Sequence, residues 1–160
     1  DLHSFPTRRS SDLNAGQATV GDVASPHPVV APGWFTIDAF VDQLSEQAVR
    51  HRVFPVTDFG GTPVGVISLH DLIGTRLDTH RTTRVQDVAR RLDQRSVALA
   101  EEPLTVLLRR AVLRPGVDAV VVLRDRRLAG IVTAADVAWA LELARLGRPP
   151  HHAPVDRQAA

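Results

Sequence analysis

Two short stretches carry a hydroxyl and a carboxylate at a spacing that suits chemistry. Ser68-Leu69-His70-Asp71 and Thr133-Ala134-Ala135-Asp136 share one order: a hydroxyl residue, two variable residues, an aspartate. They stand 65 positions apart. At the start of a helix such a hydroxyl, with the free backbone N–H groups around it, suits an anion. A carboxylate three residues on accepts two hydrogen bonds from a diol. The same residues also spell a capping box, in which the hydroxyl satisfies a backbone N–H and the acid reaches back to the N-cap N–H. Both readings stand on the sequence alone, and the second needs no ligand.

Other groups offer less. Arg50-His51-Arg52 is a basic run with phosphate chemistry, and it equally suits a solvated helix end facing its own dipole. His51 would bring a titration near neutrality. The pair His151-His152 is of metal-ligand type, but with no cysteine and no third ligand at useful spacing it reads as a polar tail, so no metal site is expected. No Ser-His-Asp or paired-carboxylate pattern stands out. Gly60-Gly61 reads as a hairpin turn and not as a phosphate loop. No catalytic residue is nominated, and the chain is expected not to be an enzyme.

The elements that must position these residues are repeated with them. Gly65-Val66-Ile67 precedes the first motif and Gly130-Ile131-Val132 the second, while Asp22-Val23 recurs as Asp87-Val88 at the same offset of 65. A long internal repeat decides the architecture before any local assignment. The chain therefore reads as a tandem duplication of one βαββα unit, in the α+β class.

Taken in order, residues 1–13 have no apolar period and no signal-peptide layout. His3 to Leu13 resembles an in-frame translation of a DNA-sequencing adapter, and a disordered native tail is the alternative; neither receives a function. On the adapter reading the chain is a fragment. Residues 14–19 form a linker and 20–74 the first unit. In it, Val29-Val30 is a short strand after the extended Ser25-Pro26-His27-Pro28. Ile37, Phe40, Val41, Leu44 and Ala48 predict a helix over 36–49 with Thr36 as N-cap. Strands at 53–56 and 64–67 flank a turn at 58–61, and a short helix covers 68–74. The polar stretch 75–84 is a linker, and the second unit spans 85–146. Its helices are expected at 85–92, 103–113 (with Pro103 at the start, where its missing N–H costs nothing) and 134–146; its strands at 96–99, 119–123 and 128–132. Residues 147–160 are expected to be disordered.

Composition excludes whole classes. With hydrophobic residues at 44%, charged residues at 23% and a formal net charge of +1, the 160-residue chain has an ordinary globular makeup. Aromatics are only 4%, and no basic block carries them, so nucleic-acid binding is not expected. No run approaches the roughly 18 apolar residues of a membrane span, so this segment is not expected to insert. Trp34 and Phe35 are candidates for a partner surface. Trp139 shares a helix face with Leu143 and Leu146, which predicts a core anchor.

With both motif copies, the Asp-Val lead-in and the βαββα order in hand, residues 20–146 resemble a pair of cystathionine-β-synthase-type (CBS) domains, a Bateman module, which implies two three-stranded sheets packed about a pseudo-twofold axis. The resemblance implies a non-catalytic regulatory module that senses an adenosine-containing ligand of the AMP, ADP or ATP class and modulates an attached or partner protein. No resident cofactor is implied. It nominates Asp71 and Asp136 for ribose, Ser68 and Thr133 for phosphate, and Val29-Val30 and Val97-Ala98 beside the base. Arg50, His51 and Arg52 fall where further phosphate contacts would lie. It also implies a homodimer formed through the helices, with Val137, Leu141 and Ala144 as a candidate surface; a ligand-free dimerisation module is the alternative. Within the family, Arg52-Val53-Phe54-Pro55-Val56, Thr82-Thr83-Arg84-Val85-Gln86-Asp87-Val88 and the Arg-rich, Lys-free composition resemble the cytosolic tail of actinobacterial site-2-type membrane zinc proteases. That implies a cytoplasmic segment, tethered to a membrane in a longer parent that carries the catalytic part.

Overall fold

The structure, a computed structural model, describes residues 18–150. The adapter-like segment and the His151-His152 pair lie outside the described residues. The first half contains α1 (Val20–Val23), β1 (Ser25–Pro26), β2 (Ala31–Pro32), α2 (Ile37–Glu46), β3 (Val53–Thr57), β4 (Pro63–Ser68) and α3 (Leu69–Ile73). After a 3-10 turn at Leu77–Thr79 follow α4 (Val85–Val88), β5 (Arg90–Arg91), β6 (Val97–Leu99), α5 (Leu104–Arg110), β7 (Ala119–Arg124), β8 (Arg127–Thr133) and α6 (Ala134–Arg145).

Each half forms a mixed sheet and then completes the other's. One sheet runs β2-β3-β4-β5 and the other β6-β7-β8-β1. Thus the sheets have four strands, not the three expected, because each lead-in strand crosses to the opposite half. Ser25 and Pro26 pair with Ile131 and Gly130, while Arg90 and Arg91 pair with Val66 and Gly65. The lead-in helices cross too. Val20 and Val23 are buried in the core with Leu107, Val120 and Val132, and Val85 in the core with Phe40, Phe54 and Ile67. Backbone bonds stitch both crossings at equivalent places: Val20 N donates to Glu102 O and Val85 N to Phe35 O, at 2.8 and 2.9 Å.

The repeated glycine follows from this exchange. A Cβ on Gly65 would lie 2.7 Å from Arg90 O, and one on Gly130 2.5 Å from Ser25 O. Only a residue without a side chain admits a crossing strand so close. Between the halves a third cluster, Val53, Val66, Ala119, Val121 and Ile131, closes sheet against sheet.

Local signals set most elements. Thr36 caps α2 by accepting from Ala39 N, and Ile37, Phe40 and Leu44 form its buried stripe. The Asp58 carboxylate accepts from Gly60 N and Thr62 N, both at 2.9 Å, which holds the β3–β4 turn. Four expectations need correction. The strand expected at Val29-Val30 is β2 at Ala31–Pro32, because Pro26 and Pro28 remove donors from the lead-in and His27 bends it with φ 52°. The helix expected over 103–113 is Leu104–Arg110, with Pro103 as a cap residue that makes no side-chain bond. The helix expected over 85–92 is Val85–Val88, because Arg90 and Arg91 leave it as the crossing strand. Trp139 is 63% exposed rather than core: Ala140 and Val137 supply the inner face of α6, leaving Trp139 and Leu141 outside. The stretch 75–84, expected as a linker, holds the 3-10 turn and His80, which is buried with Nε2 3.1 Å from Thr75 O.

Candidate functional site

Both hydroxyl–aspartate motifs sit where a strand turns into a helix: Ser68 between β4 and α3, Thr133 between β8 and α6. Both form complete capping boxes. Ser68 N donates to Asp71 Oδ2 at 2.8 Å and Asp71 N to Ser68 Oγ at 3.1 Å; the Thr133 and Asp136 equivalents are 2.8 and 3.4 Å. Each hydroxyl also donates to its own aspartate, at 2.8 Å for Ser68 and 2.9 Å for Thr133. Ser68 is fully buried, whereas Thr133 is only partly so.

Around these boxes the exchanged strands bring different residues to equivalent places. Ser25 Oγ donates to Asp136 Oδ1 at 2.6 Å. Sixty-five positions later Arg90 takes the place of Ser25, and its Nη2 lies 3.4 Å from Asp71 Oδ2. Arg90 also donates from Nη1 to Asp118 Oδ1 at 2.6 Å and from Nη2 to Val117 O, and its Nε is buried with no partner among the described residues. Asp118 in turn accepts from Arg114 Nε at 2.7 Å. The Arg114 bonds, with Arg90 beside them, hold the Asp118 carboxyl down at about 2 against the opposing cost of burial.

Arg50, His51 and Arg52 line a cleft of about 430 Å³ together with Leu69, His70 and Gly116. His70 joins them from α3, inside the first motif. All four basic side chains are exposed, and none forms an ion pair with a described residue. The guanidinium charges of Arg50 and Arg52 are therefore not neutralised from within the described part of the chain. A second, smaller cleft of about 180 Å³ is lined by Arg90, Arg91, Asp93, Ser96 and Asp118 among others.

Of the residues nominated beside a base, Val97 and Ala98 fall on a parallel strand pair, whereas Val29 and Val30 precede β2. Ala31 pairs with Val56 and Ala98 with Val122, while Val56 and Val122 face Gly65 and Gly130 in turn. Ala31 is thus the counterpart of Ala98, and Val30 of Val97; Val29 falls one step outside that match. Val29 packs against the first core and Ala98 is buried in the second. Ser25, His70, Arg90 and Asp118 were not singled out from sequence. The repeat offset, which sets Arg90 on Ser25 beside the recurring Asp-Val, is the signal that points to the exchanged pair.

Residues 20–78 match the family model described as CBS domain. Residues 20–78 belong to the CBS-domain family. The second half repeats the plan of the first, with the same motif and a matching strand order. The CBS-pair protein CBSX2 of Arabidopsis thaliana superposes with a TM-score of 0.59 at 25% identity, covering 79% of this chain and 96% of that one. CBSX2 in complex with AMP is similar at 26% identity and a TM-score of 0.59, over 79% of this chain and 98% of that one. The CBS domain of a bacterial CNNM/CorC family Mg2+ transporter, in complex with ATP, shares the fold at 19% identity, with a TM-score of 0.64 over 91% of this chain and 99% of that one. By sequence, the chain is 35% identical over 146 residues to Rip3 of Mycobacterium tuberculosis, whose name assigns it to the zinc metalloproteases. The match covers 89% of this chain and 36% of Rip3, so the chain spans about a third of that relative's length. CBS domains are regulatory modules and not catalysts, and this pair is such a module. No helix among the described residues is long and apolar enough to cross a membrane.

Proposed function

We propose that this CBS pair binds an adenosine nucleotide of the AMP, ADP or ATP class and reports its presence to an attached or partner protein. The observation that carries the reading is the cleft lined by Arg50, His51, Arg52 and His70, four basic groups without an ion-pair partner among the described residues. Guanidinium groups suit phosphate through paired N–H donors, and unneutralised charge at a cleft raises the local concentration of anions. The motif carboxylates Asp71 and Asp136 supply acceptors of the kind a ribose diol needs, and the complex of CBSX2 with AMP is consistent with this ligand class. Ser68 serves in this reading as a buried cap. Its hydroxyl is committed to Asp71, so the phosphate role falls to the basic cleft.

Regulation follows from linkage: a ligand shifts a coupled protein only by its differential affinity for the two states. Isothermal titration of the chain with AMP, ADP, ATP and unphosphorylated adenosine tests the reading. Tighter binding of a nucleotide than of adenosine, weakened in Arg50→Ala/Arg52→Ala, supports it. Equal or absent binding of all four contradicts it, and leaves a ligand-free dimerisation module. Homodimerisation through the helices is part of the proposal, with Trp139 and Leu141 as the exposed apolar groups of α6. Sedimentation of the chain and of Leu141→Glu tests it.

A second reading concerns what is regulated. The 35% identity to Rip3 over 89% of this chain favours a zinc protease as the attached protein. A reading frame upstream of Asn14 that encodes membrane spans and a His-Glu-x-x-His motif would support it, and a start codon there would contradict it.

A further inference from the structure

We propose that the basic cleft holds two adjacent phosphates, as in a nucleoside di- or triphosphate, and that His51 and His70 take up protons as it fills. This rests on the nucleotide reading above and adds to it the number of phosphates and a dependence on pH.

Three segments build the cleft. Arg50, His51 and Arg52 come from the lead-in to β3, His70 from α3, and residues 115–117 from the loop before β7. Leu69 N donates to Arg52 O at 2.8 Å, which sets His70 one residue from the point where α3 meets the basic run. Gly116 lies against the same arginine: a Cβ on it would stand 3.5 Å from Arg52 Cδ. The loop therefore closes on Arg52 and brings no charged side chain into a space of about 430 Å³.

The charges that face this space are of one sign. Among the described residues no carboxylate lines it, and the acids beside its walls are committed elsewhere. Asp71, next to His70, accepts from Ser68 and lies 3.4 Å from Arg90. Asp118, next to Val117, is held by Arg90 and Arg114, so Arg114 on the same loop is spent as well. What remains is two guanidiniums, always charged, and two imidazoles, which change charge between about pH 5 and 8.

A monophosphate carries about −1.5 to −2 near neutrality, which Arg50 and Arg52 alone match. The imidazoles supply charge for a second phosphate. A bound polyanion favours their protonated form, and by reciprocity protonation strengthens the hold on the anion. The repeat provides one such cleft and not two. Val53 pairs with Ser68 and Ala119 with Thr133, so Gly116, Val117, Asp118 and Ala135 stand where the first half has Arg50, His51, Arg52 and His70.

Titration calorimetry of the full chain with phosphate, pyrophosphate, AMP, ADP and ATP tests the proposal, at pH 6 and pH 8 and in two buffers of different ionisation enthalpy. The expected result is one site per chain that holds pyrophosphate and ADP about tenfold or more tighter than phosphate and AMP, with net proton uptake by the protein. The ligand's own last proton, with a pKa near 6, opposes this trend, so the deciding comparison is with His51→Gln/His70→Gln. On going from pH 8 to pH 6 the wild type should gain roughly three- to tenfold over that variant, as for two exposed charge pairs. Both imidazoles are exposed, and melting curves check that the variant is folded. The same pH dependence in both proteins, or AMP held as tightly as ADP, overturns the proposal and leaves the nucleotide reading standing. Pyrophosphate bound where no nucleotide is supports the diphosphate cleft and overturns the adenosine reading. No binding of any of the five overturns both.

Discussion

The backbone oxygen of Ser25 lies 2.5 Å from where a Cβ on Gly130 would stand. That contact explains why a glycine precedes each motif: the crossing strand lies directly over it. Gly130→Ala pushes β1 away and loosens its pairing to β8. We expect a loss of about 1–3 kcal/mol, the usual cost of overpacking, read by urea denaturation. Gly65→Ala should behave alike, since its Cβ would meet Arg90 O at 2.7 Å. Gly60→Ala, whose Cβ would meet only Asp58 Oδ1 at 3.4 Å, is the control and should cost far less.

The capping boxes predict stability effects independent of any ligand. Ser68→Ala and Thr133→Ala each remove the acceptor for the N3 backbone N–H and should cost about 1 kcal/mol, up to about 2. Ser68→Ala should lie at the upper end, because the site is fully buried and an unmet N–H there finds no water. Chemical denaturation of both variants beside the wild type checks the order.

Asp118 gives a pH dependence with a defined sign. Its folded-state carboxyl is lowered from 3.8 to about 2, so its stabilising contribution is complete above the unfolded value and is lost as pH falls from about 4 toward 2. A depression of this size corresponds to about 2 kcal/mol. Asp118→Asn should flatten the acid limb of the stability curve by roughly that amount, read from denaturant midpoints at pH 5 and pH 2.5.

How far the fold was legible in sequence depended on the range of the interactions that set it. Thr36, the Asp58 turn and both motif boxes are local, with donor and acceptor within four residues, and spacing alone places them. The exchange of lead-ins joins Ser25 to Ile131, and nothing within a window around Ser25 tells which half it will complete. Val29-Val30 looked like a strand because β-branched residues favour one, yet the parallel ladder begins only at Ala31. Trp139 shows the limit of periodicity: a helical stripe fixes which residues share a face but not which face meets the core. The candidate site divided the same way. Asp71 and Asp136 are visible as a repeat, whereas Arg90 and Asp118 acquire meaning only when two distant segments meet.

The position of Trp139 has its own test. In the dissociated chain, where it is 63% exposed, its truncation should change stability within about 0.5 kcal/mol, as for an ordinary surface site, and its emission should be quenched readily by acrylamide in Trp34→Phe at a dilution that separates any dimer. A core anchor would cost about 3–5 kcal/mol on truncation and resist the quencher.

The central claim is that the basic cleft and the motif carboxylates together hold an adenosine nucleotide. Thermal unfolding of the chain against millimolar AMP, ADP, ATP and adenosine tests it most directly, since a ligand confined to the folded state stabilises by RT ln(1 + [L]/Kd). The account predicts a rise in Tm with a nucleotide, larger than with adenosine and diminished in Arg50→Ala/Arg52→Ala. An unchanged Tm with every compound would contradict it, and the two motifs would then stand as helix caps in a scaffold.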